Sequence, residues 1–539
     1  MKTRRLNLLT ALILILLPCV NFGQAPDLGT AANFVLFSTD GAISNTGISQ
    51  LTGDIGSNNG SSTAFGNVNG VMHDVDGTSA KCASDLLVAY NKLNSAVPNF
   101  FPAPLLGNGT VLTKGVYAIS GAATLNLGLT LDAKGDPNAV FIFQIGGSFS
   151  TNAASKIYLK NGAMACNVFW KVEGLVSMAS GTTMRGTIIA NNSAIVMSTG
   201  DTLEGRALST AGAITVDGLL AYTPIGCGSP VLTGPVPPYL GFTECYALFS
   251  GNGAVTNSGT TKVMGDVGTN VGLTTGFDPL LVSGSIHPIA DLSTAQAKAD
   301  LLRVYSYLNI LPVDIELLYP AQFGRNLVLT PHTYLLNAAT TLTDSLYLNA
   351  QGNSNAVFVI KIIGALTTST HSKIILINGA KAKNVFWLIE GAVSINNYSV
   401  FKGTIVCNNG ALGALNTGVV LEGRALTTSG ALTTTAVTTT MAPYCTLTGI
   451  PDEPGRINEV VRFYPNPFTS SLTISFNVSP QITKIELRIY DLLGVQVMDK
   501  ILIKQSTTLG TSNLPSGIYF YKIISNDKVI QSGRLISKQ

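Results

Sequence analysis

Short runs of alternating apolar and polar residues, each closed by Gly or Asn, recur along most of the chain. Ala139 to Ile145, Ile157 to Leu159, Val168 to Val172, Thr187 to Ala190 and Ala194 to Met197 are examples. Alternation of this kind predicts β-strands with one face turned inward. The intervals are too short for crossover helices and lack the Asn-Gly pairs of tight hairpins, so the strands are expected to coil as a parallel stack. Helical spacing breaks the pattern at Ala83, Leu86, Leu87, Tyr90 and Leu93, and again at Leu301, Leu302, Tyr305 and Leu308. Each helix should lie along the stack as a cover, with Leu87 and Leu302 against its apolar surface. Ser293 is placed to cap the second one.

The pattern occurs twice. Leu28-Gly29 through Phe37 matches Leu240-Gly241 through Phe249, and Gly53-Asp54-Ile55-Gly56 matches Gly265-Asp266-Val267-Gly268, both at an offset of 212. Asn167-Val168-Phe169-Trp170 returns as Asn384-Val385-Phe386-Trp387 at 217, and Leu203 to Leu208 returns as Leu421 to Leu426 at 218. So small a drift means two copies of one fold. Pro230, Pro235, Pro237 and Pro238 mark a stiff segment between them. Boundaries follow: a leader at 1–24, a first solenoid at 25–228, a linker at 229–239, a second solenoid at 240–446, a linker at 447–456 and a small β domain at 457–539.

Composition narrows the class. Only 11 % of the 539 residues are charged while 55 are Gly, and the net charge of +3 supplies no basic stripe for nucleic acid. Lys2, Arg4 and Arg5 before the apolar run Leu6 to Val20 read as a cleaved signal peptide, and no stretch suits a membrane span. Cys19 admits a lipoprotein reading, which Pro18 disfavours. Export permits disulfides among Cys82, Cys166, Cys227, Cys245, Cys407 and Cys445, with fifteen pairings open.

The doubled unit resembles the microbial ice-binding protein family on four ordered landmarks. They are Leu28 to Phe34, the Gly-Asp-x-Gly turn at 53–56, the strand Asn167 to Trp170, and Gly205-Arg206-Ala207-Leu208, with their second-copy equivalents. The second copy departs where Phe242-Thr243-Glu244-Cys245 replaces Thr30-Ala31-Ala32-Asn33. The resemblance implies a mainly β protein of two tandem irregular right-handed β-solenoids, triangular in section, each with one α-helix alongside. The last segment resembles the C-terminal sorting tail of type IX secretion substrates from Bacteroidetes. Tyr464-Pro465-Asn466-Pro467, Leu487 to Gly494 and Leu514 to Tyr519 carry that likeness. It implies a small β-sandwich-like domain, read by the type IX machinery, and delivery outside the cell or to its surface.

In the ice-binding family one flat face meets ice, with strands that read roughly Thr or Ser, a small residue, any residue, then Thr, Ser or Asn. Laid on the first copy, that pattern selects Thr46 and Ser49, Asn152 and Ser155, Ser180 and Thr183, and Thr199 and Thr202. On the second it selects Ser258 and Thr261, Ser369 and Ser372, Thr435 and Thr438, and Thr417, whose fourth position is Val420, while Asn397 leads to Val400. The first copy is therefore expected to be the better binder. Ordered water and the ice surface are the implied partners, with no cofactor, metal or catalytic role.

Other constellations read as structural. Glu204 with Arg206, and Glu422 with Arg424, are expected as ion pairs flanking Gly, and Asp54 and Asp266 as caps in Gly-rich turns. The His at 73, 287, 332 and 371 lack metal spacing. A cell-surface adhesin that binds matrix or glycan stays as the alternative, weakened because the two Trp fall in apolar strands. A polysaccharide-cleaving solenoid would need a charged groove.

Overall fold

The computed structural model describes residues 24–227, 231–441, 461–476, 485–502, 506–525 and 528–538. The apolar leader, the second linker and Cys445 lie outside the described residues. Two compact units divide the chain, Met1–Tyr444 and Cys445–Gln539.

Each copy coils around three faces. In the first, face a holds Phe34–Ser38, Gly115–Ile119, Phe141–Ile145 and Val168–Val172. Face b holds eight strands, among them Ile43–Thr46, Ile195–Met197 and Ile214–Asp217. Face c holds Gln50–Thr52, Gly128–Asp132 and Lys156–Lys160. Thr183–Ala190 and Thr202–Ser209 bend from face c onto face a, and pair in parallel from Thr183↔Thr202 through Gly186↔Gly205 to Ala190↔Ser209. Every described ladder of both copies is parallel, as coiling in one direction demands. The repeated Gly-Arg-Ala-Leu sits at the bend. A Cβ on Gly205 would meet the Gly186 carbonyl oxygen at 1.9 Å, and one on Gly423 the Gly403 oxygen at 1.9 Å, so only Gly lets successive coils stack there.

Face a is apolar on both sides. Val168, Trp170 and Val172 point into the solenoid core, where Trp170 stacks on Phe143 at 3.9 Å between ring centroids. Phe169 points out, under helix α1 (Gly77–Asn94), whose Cys82, Leu86, Ala89 and Leu93 close over Phe34, Phe37 and Ile142. Helix α2 (Leu292–Ile310) buries Ala297, Leu301, Val304 and Leu308 in the second copy. The cover is as the periodicity predicts, but its rotation differs. Leu87 is 54 % exposed and Leu302 45 %, because each stands about 100° around the helix from the buried Leu86 and Leu301.

Both helices are tied at each end. Asp76 caps α1 by accepting from Ser79 N at 2.7 Å, and Asp291 caps α2 by accepting from Thr294 N at 2.8 Å. Ser293, expected as that cap, instead shares a 2.8 Å hydrogen bond with the Tyr246 hydroxyl, since Asp291 already holds the cap position. His73 bridges Asp76 at 2.7 Å and Asp54 at 4.0 Å, and His287 bridges Asp291 at 2.6 Å and Asp266 at 3.9 Å. At the other end Gln144 donates to the Leu93 and Ala96 carbonyls, and Lys361 to those of Asn309 and Leu311.

Cys166 and Cys227 form a disulfide, Cys245 is disulfide-bonded too, and Cys82 and Cys407 are free and buried. The Pro-rich segment packs on the second copy, where Val357 N donates to Thr233 O and Tyr307 to Val236 O. The C-terminal unit pairs a three-stranded with a four-stranded antiparallel sheet around Leu472, Ile474, Leu487, Ile489 and Leu535.

Candidate functional site

Three faces are available in each copy, and their outward residues differ in kind. Face a is closed by its helix. Face c carries long charged side chains: Arg185 pairs with Glu204 across one ladder step, and Lys402 with Glu422 at 2.7 Å. The expected pairs within Glu204-Gly205-Arg206 and Glu422-Gly423-Arg424 do not form, because each Glu is taken by a cation on the neighbouring coil and each Arg by a backbone carbonyl. Arg206 is instead buried on the outer side of the sheet beneath the turn Gly29–Ala32, and donates to Ala32 O at 2.8 Å, while Arg424 donates to Glu244 O at 2.9 Å. Burial holds both guanidinium groups below their ordinary range. Asp54 accepts from Val71 N at 2.8 Å and Asp266 from Ser285 N at 2.7 Å, the capping expected of them.

Face b is different. In the second copy its outward positions form two rows. The first runs Thr275, Thr256, Thr433, a bulge at Gly413 and Ala414, then Ser394, Thr367 and Thr341. The second runs Ser258, Thr435, Asn416, Asn396, Ser369 and Thr343. Neighbours within a row touch: Ser258 and Thr435 hydroxyls lie 3.1 Å apart, Thr341 and Thr367 3.3 Å, and Asn416 donates to Asn396 at 3.1 Å. Inward positions between them, such as Val255, Leu432, Leu366 and Ile395, fill the core. Period-2 alternation thus drives apolar residues in and leaves short polar ones out.

The first copy follows the same plan less uniformly. Its first row runs Thr63, Ser44, Thr215, Val196, Ser177, Ser150, Thr124 and Leu105. Its second begins Thr46 and Asp217 and runs on through Asn152 to Asn126, to which Asn152 donates at 2.7 Å. Val196 and Leu105 interrupt the polar pattern, and Asp217 adds a charge to it. Among the described residues no group of three His, Cys, Asp or Glu could hold a metal.

The residues selected by the four-residue pattern fall in several places. Thr46, Asn152, Ser258, Ser369 and Thr435 stand at the outer end of face b strands. Ser180, Thr199 and Thr417 lie exposed at the corner between b and c. Thr183, Thr202 and Thr438 are the first residues of face c strands. Ser49 turns into the corner, donates to Asn45 at 2.6 Å and accepts from Leu219 N. Ser155, Thr261 and Ser372 are at most 2 % exposed, and their hydroxyls donate to Leu125 O, Asn257 and Leu342 O. Asp201 occupies that inward corner as well, and burial pushes its carboxyl up to about 6 despite hydrogen bonds from Ser198 N and Thr182 N. The pattern straddles the corner in two registers: at Thr46 and Asn152 it starts on an outward face b position, and at Ser180 and Thr199 one residue later, so one spacing lands on different faces. It missed the first rows of face b, which a two-residue period in Val255-Thr256-Asn257-Ser258 or Leu432-Thr433-Thr434-Thr435 reveals.

A protein-family model described as Ice-binding-like matches residues 37–219 and 249–440, well over half of the chain. The chain belongs to this ice-binding-like family. An ice-binding protein of Nostoc sp. (strain HG1) is 42 % identical over 194 residues, covering 35 % of this chain and 71 % of that one. One from Flavobacterium frigoris (strain PS1) is 31 % identical over 210 residues, covering 35 % and 74 %. A crystal structure of an ice binding protein from an Antarctic bacterium, Flavobacteriaceae, superposes with a TM-score of 0.77 at 60 % identity, covering 79 % of this chain and all of that one. Residues 462–538 match a secretion system C-terminal sorting domain. The two ice-binding-like copies are thus followed by a type IX sorting domain, whose address is the cell surface or the medium.

Proposed function

We propose that the mature protein is an ice-binding protein that adsorbs to ice through face b, with the second copy as its main contact. The observation that carries this reading is the pair of short, uncharged Thr, Ser and Asn rows of that copy. Stacked strands put successive row members about 4.8 Å apart and the two rows about 6.6 Å apart, a fixed grid of hydroxyls on which water can order. Thr suits the task because its β-branched side chain has few rotamers to lose. Face c, with Lys402 and Glu422 reaching outward, would hold a lattice away. A binding role without catalysis accords with this surface, and Trp170 and Trp387 are buried, so they offer no stacking platform to a glycan. The sorting domain would engage the secretion machinery and take no part in adsorption.

Thermal hysteresis and recrystallisation inhibition by the purified chain test the proposal. Thr367→Tyr and Thr256→Tyr, towards opposite ends of the first row, should remove most activity, whereas Ile375→Tyr on face c should leave it unchanged. Loss with Ile375→Tyr but not with the Thr variants would move the site to face c.

A further inference from the structure

The two copies meet in a joint whose geometry fixes how their faces lie. On the first copy Asn69, buried at 2 % exposure, accepts from the Tyr334 hydroxyl at 2.6 Å and donates to Thr330 Oγ1 at 3.0 Å; Tyr334 and Thr330 are buried too. A buried, mutually satisfied polar set holds one arrangement, since sliding would strand its donors and acceptors. At the opposite end of the same strands Gln50 donates to Arg325 O at 2.9 Å, and Asn67 exchanges hydrogen bonds with Tyr319 N and O at 2.9 and 3.0 Å.

These two contact points orient the copies. Gln50 begins the face c strand Gln50–Thr52, and Arg325 just precedes the face c strand Leu327–Leu329. Asn69 is bridged to Thr52, at the end of the first of these strands, and Thr330 directly follows the second. The strands therefore run the same way, b/c corner against b/c corner and c/a corner against c/a corner. Face c of one copy continues face c of the other, and face b must then continue face b. In strand order, face b of the first copy ends at Ser62–Thr63 and that of the second begins at Phe323–Gly324. Between them is a shallow groove of about 340 Å³, lined by Ser49, Phe65, Asn67 and Gly324 among others.

We infer that the two b faces act as one ice-contacting surface, sixteen strands long, in which the less regular first copy extends the second rather than binding alone. This rests on the reading of face b as the adsorbing face. Each eight-stranded half is about 34 Å long at about 4.8 Å per step. Once one half seats, the other is already in place, so their contributions combine without a second encounter. Rigidity has a corollary: a side chain that lifts one half also tilts the other.

The full chain tests this through the fraction of protein taken up into a slowly growing ice crystal. Thr215→Tyr, exposed in the first row of the first copy and away from the second copy's rows, should lower uptake at least tenfold with melting unchanged. In a chain whose joint is loosened by Gln50→Ala and Asn69→Ala, the same Thr215→Tyr change should have much less effect, because the second copy can then seat alone. Parent-like uptake by Thr215→Tyr in the intact chain would overturn the composite surface while leaving the second copy as the binder. An equal loss in the intact and loosened chains would also overturn it. A parent chain that stays out of the ice would remove the face b reading itself.

Discussion

Exchanging Leu86 for Ala should destabilise the first copy far more than the same change at Leu87, although both residues fit one helical stripe in the sequence. Leu86 is fully buried between α1 and face a, in a cluster with Phe34, Phe37, Ile142 and Phe169, all of them at most 1 % exposed. Truncation there removes apolar contacts and leaves a cavity that strands of a stacked solenoid cannot collapse into, a loss of about 3 kcal/mol within the usual 2 to 5. For a cooperative unit of about 200 residues, each kcal/mol lowers Tm by roughly 2 to 4 °C, so a drop of about 6 to 12 °C is expected. Leu87 is 54 % exposed, and its truncation should change stability by no more than about 0.5 kcal/mol. Leu87→Asp should likewise be tolerated, since the new carboxylate stays in water. Thermal melts of the full chain followed by circular dichroism, at one pH and protein concentration, decide the matter. Equal shifts for Leu86→Ala and Leu87→Ala, or collapse of Leu87→Asp, would refute the rotation of the helix and with it the account of face a as a covered face.

The remaining expectations concern charge, cross-linking and modularity. Asp266, then Asp291, outweigh burial and hold the His287 imidazole above its ordinary value. A raised imidazole contributes stability fully below its unfolded value near 6.5 and loses it as pH rises through the folded one, so Tm should fall as pH rises from about 6.5. In His287→Gln that part of the decline should vanish, and an undiminished slope would assign it elsewhere. Removing the disulfide by Cys166→Ala with Cys227→Ala frees a loop spanning 61 residues, which the chain-entropy relation puts at about 4 kcal/mol, measurable as a lower denaturant midpoint. Arg206→Met leaves the Ala32 carbonyl without its partner and should cost about 1 to 3 kcal/mol; an unchanged melt would show that water replaces the guanidinium. A chain ending at Thr446, which keeps every cysteine of the two solenoids, should keep the melting and ice uptake of the parent, because the sorting domain forms its own compact unit; failure to fold would contradict that division.

The duplication, the strands and both helices were legible because periodicity and repetition are local properties of a sequence. Alternation in Val168 to Val172 demands a strand, and the repeated Asn-Val-Phe-Trp demands a second copy of whatever that strand builds. The first rows of face b were legible in principle as well, since Val255-Thr256-Asn257-Ser258 assigns inside and outside by itself. Which of the outward rows shares a plane was not, because that depends on where each coil turns. Ser49 and Thr183 both end a four-residue hydroxyl pattern, yet one closes a corner and the other opens a face c strand, because Ser180 starts its pattern one residue later on the coil than Thr46 does. The helix shows the same limit: spacing put Leu86 and Leu87 on one stripe, and packing against Phe34 and Ile142 chose the first. The pairing of Glu204 with Arg185 rather than Arg206 is a ladder register, set only when one coil stacks on the last. The joint at Asn69 and Tyr334 unites residues 265 positions apart, a contact that no local pattern carries and that only the stacked coils create.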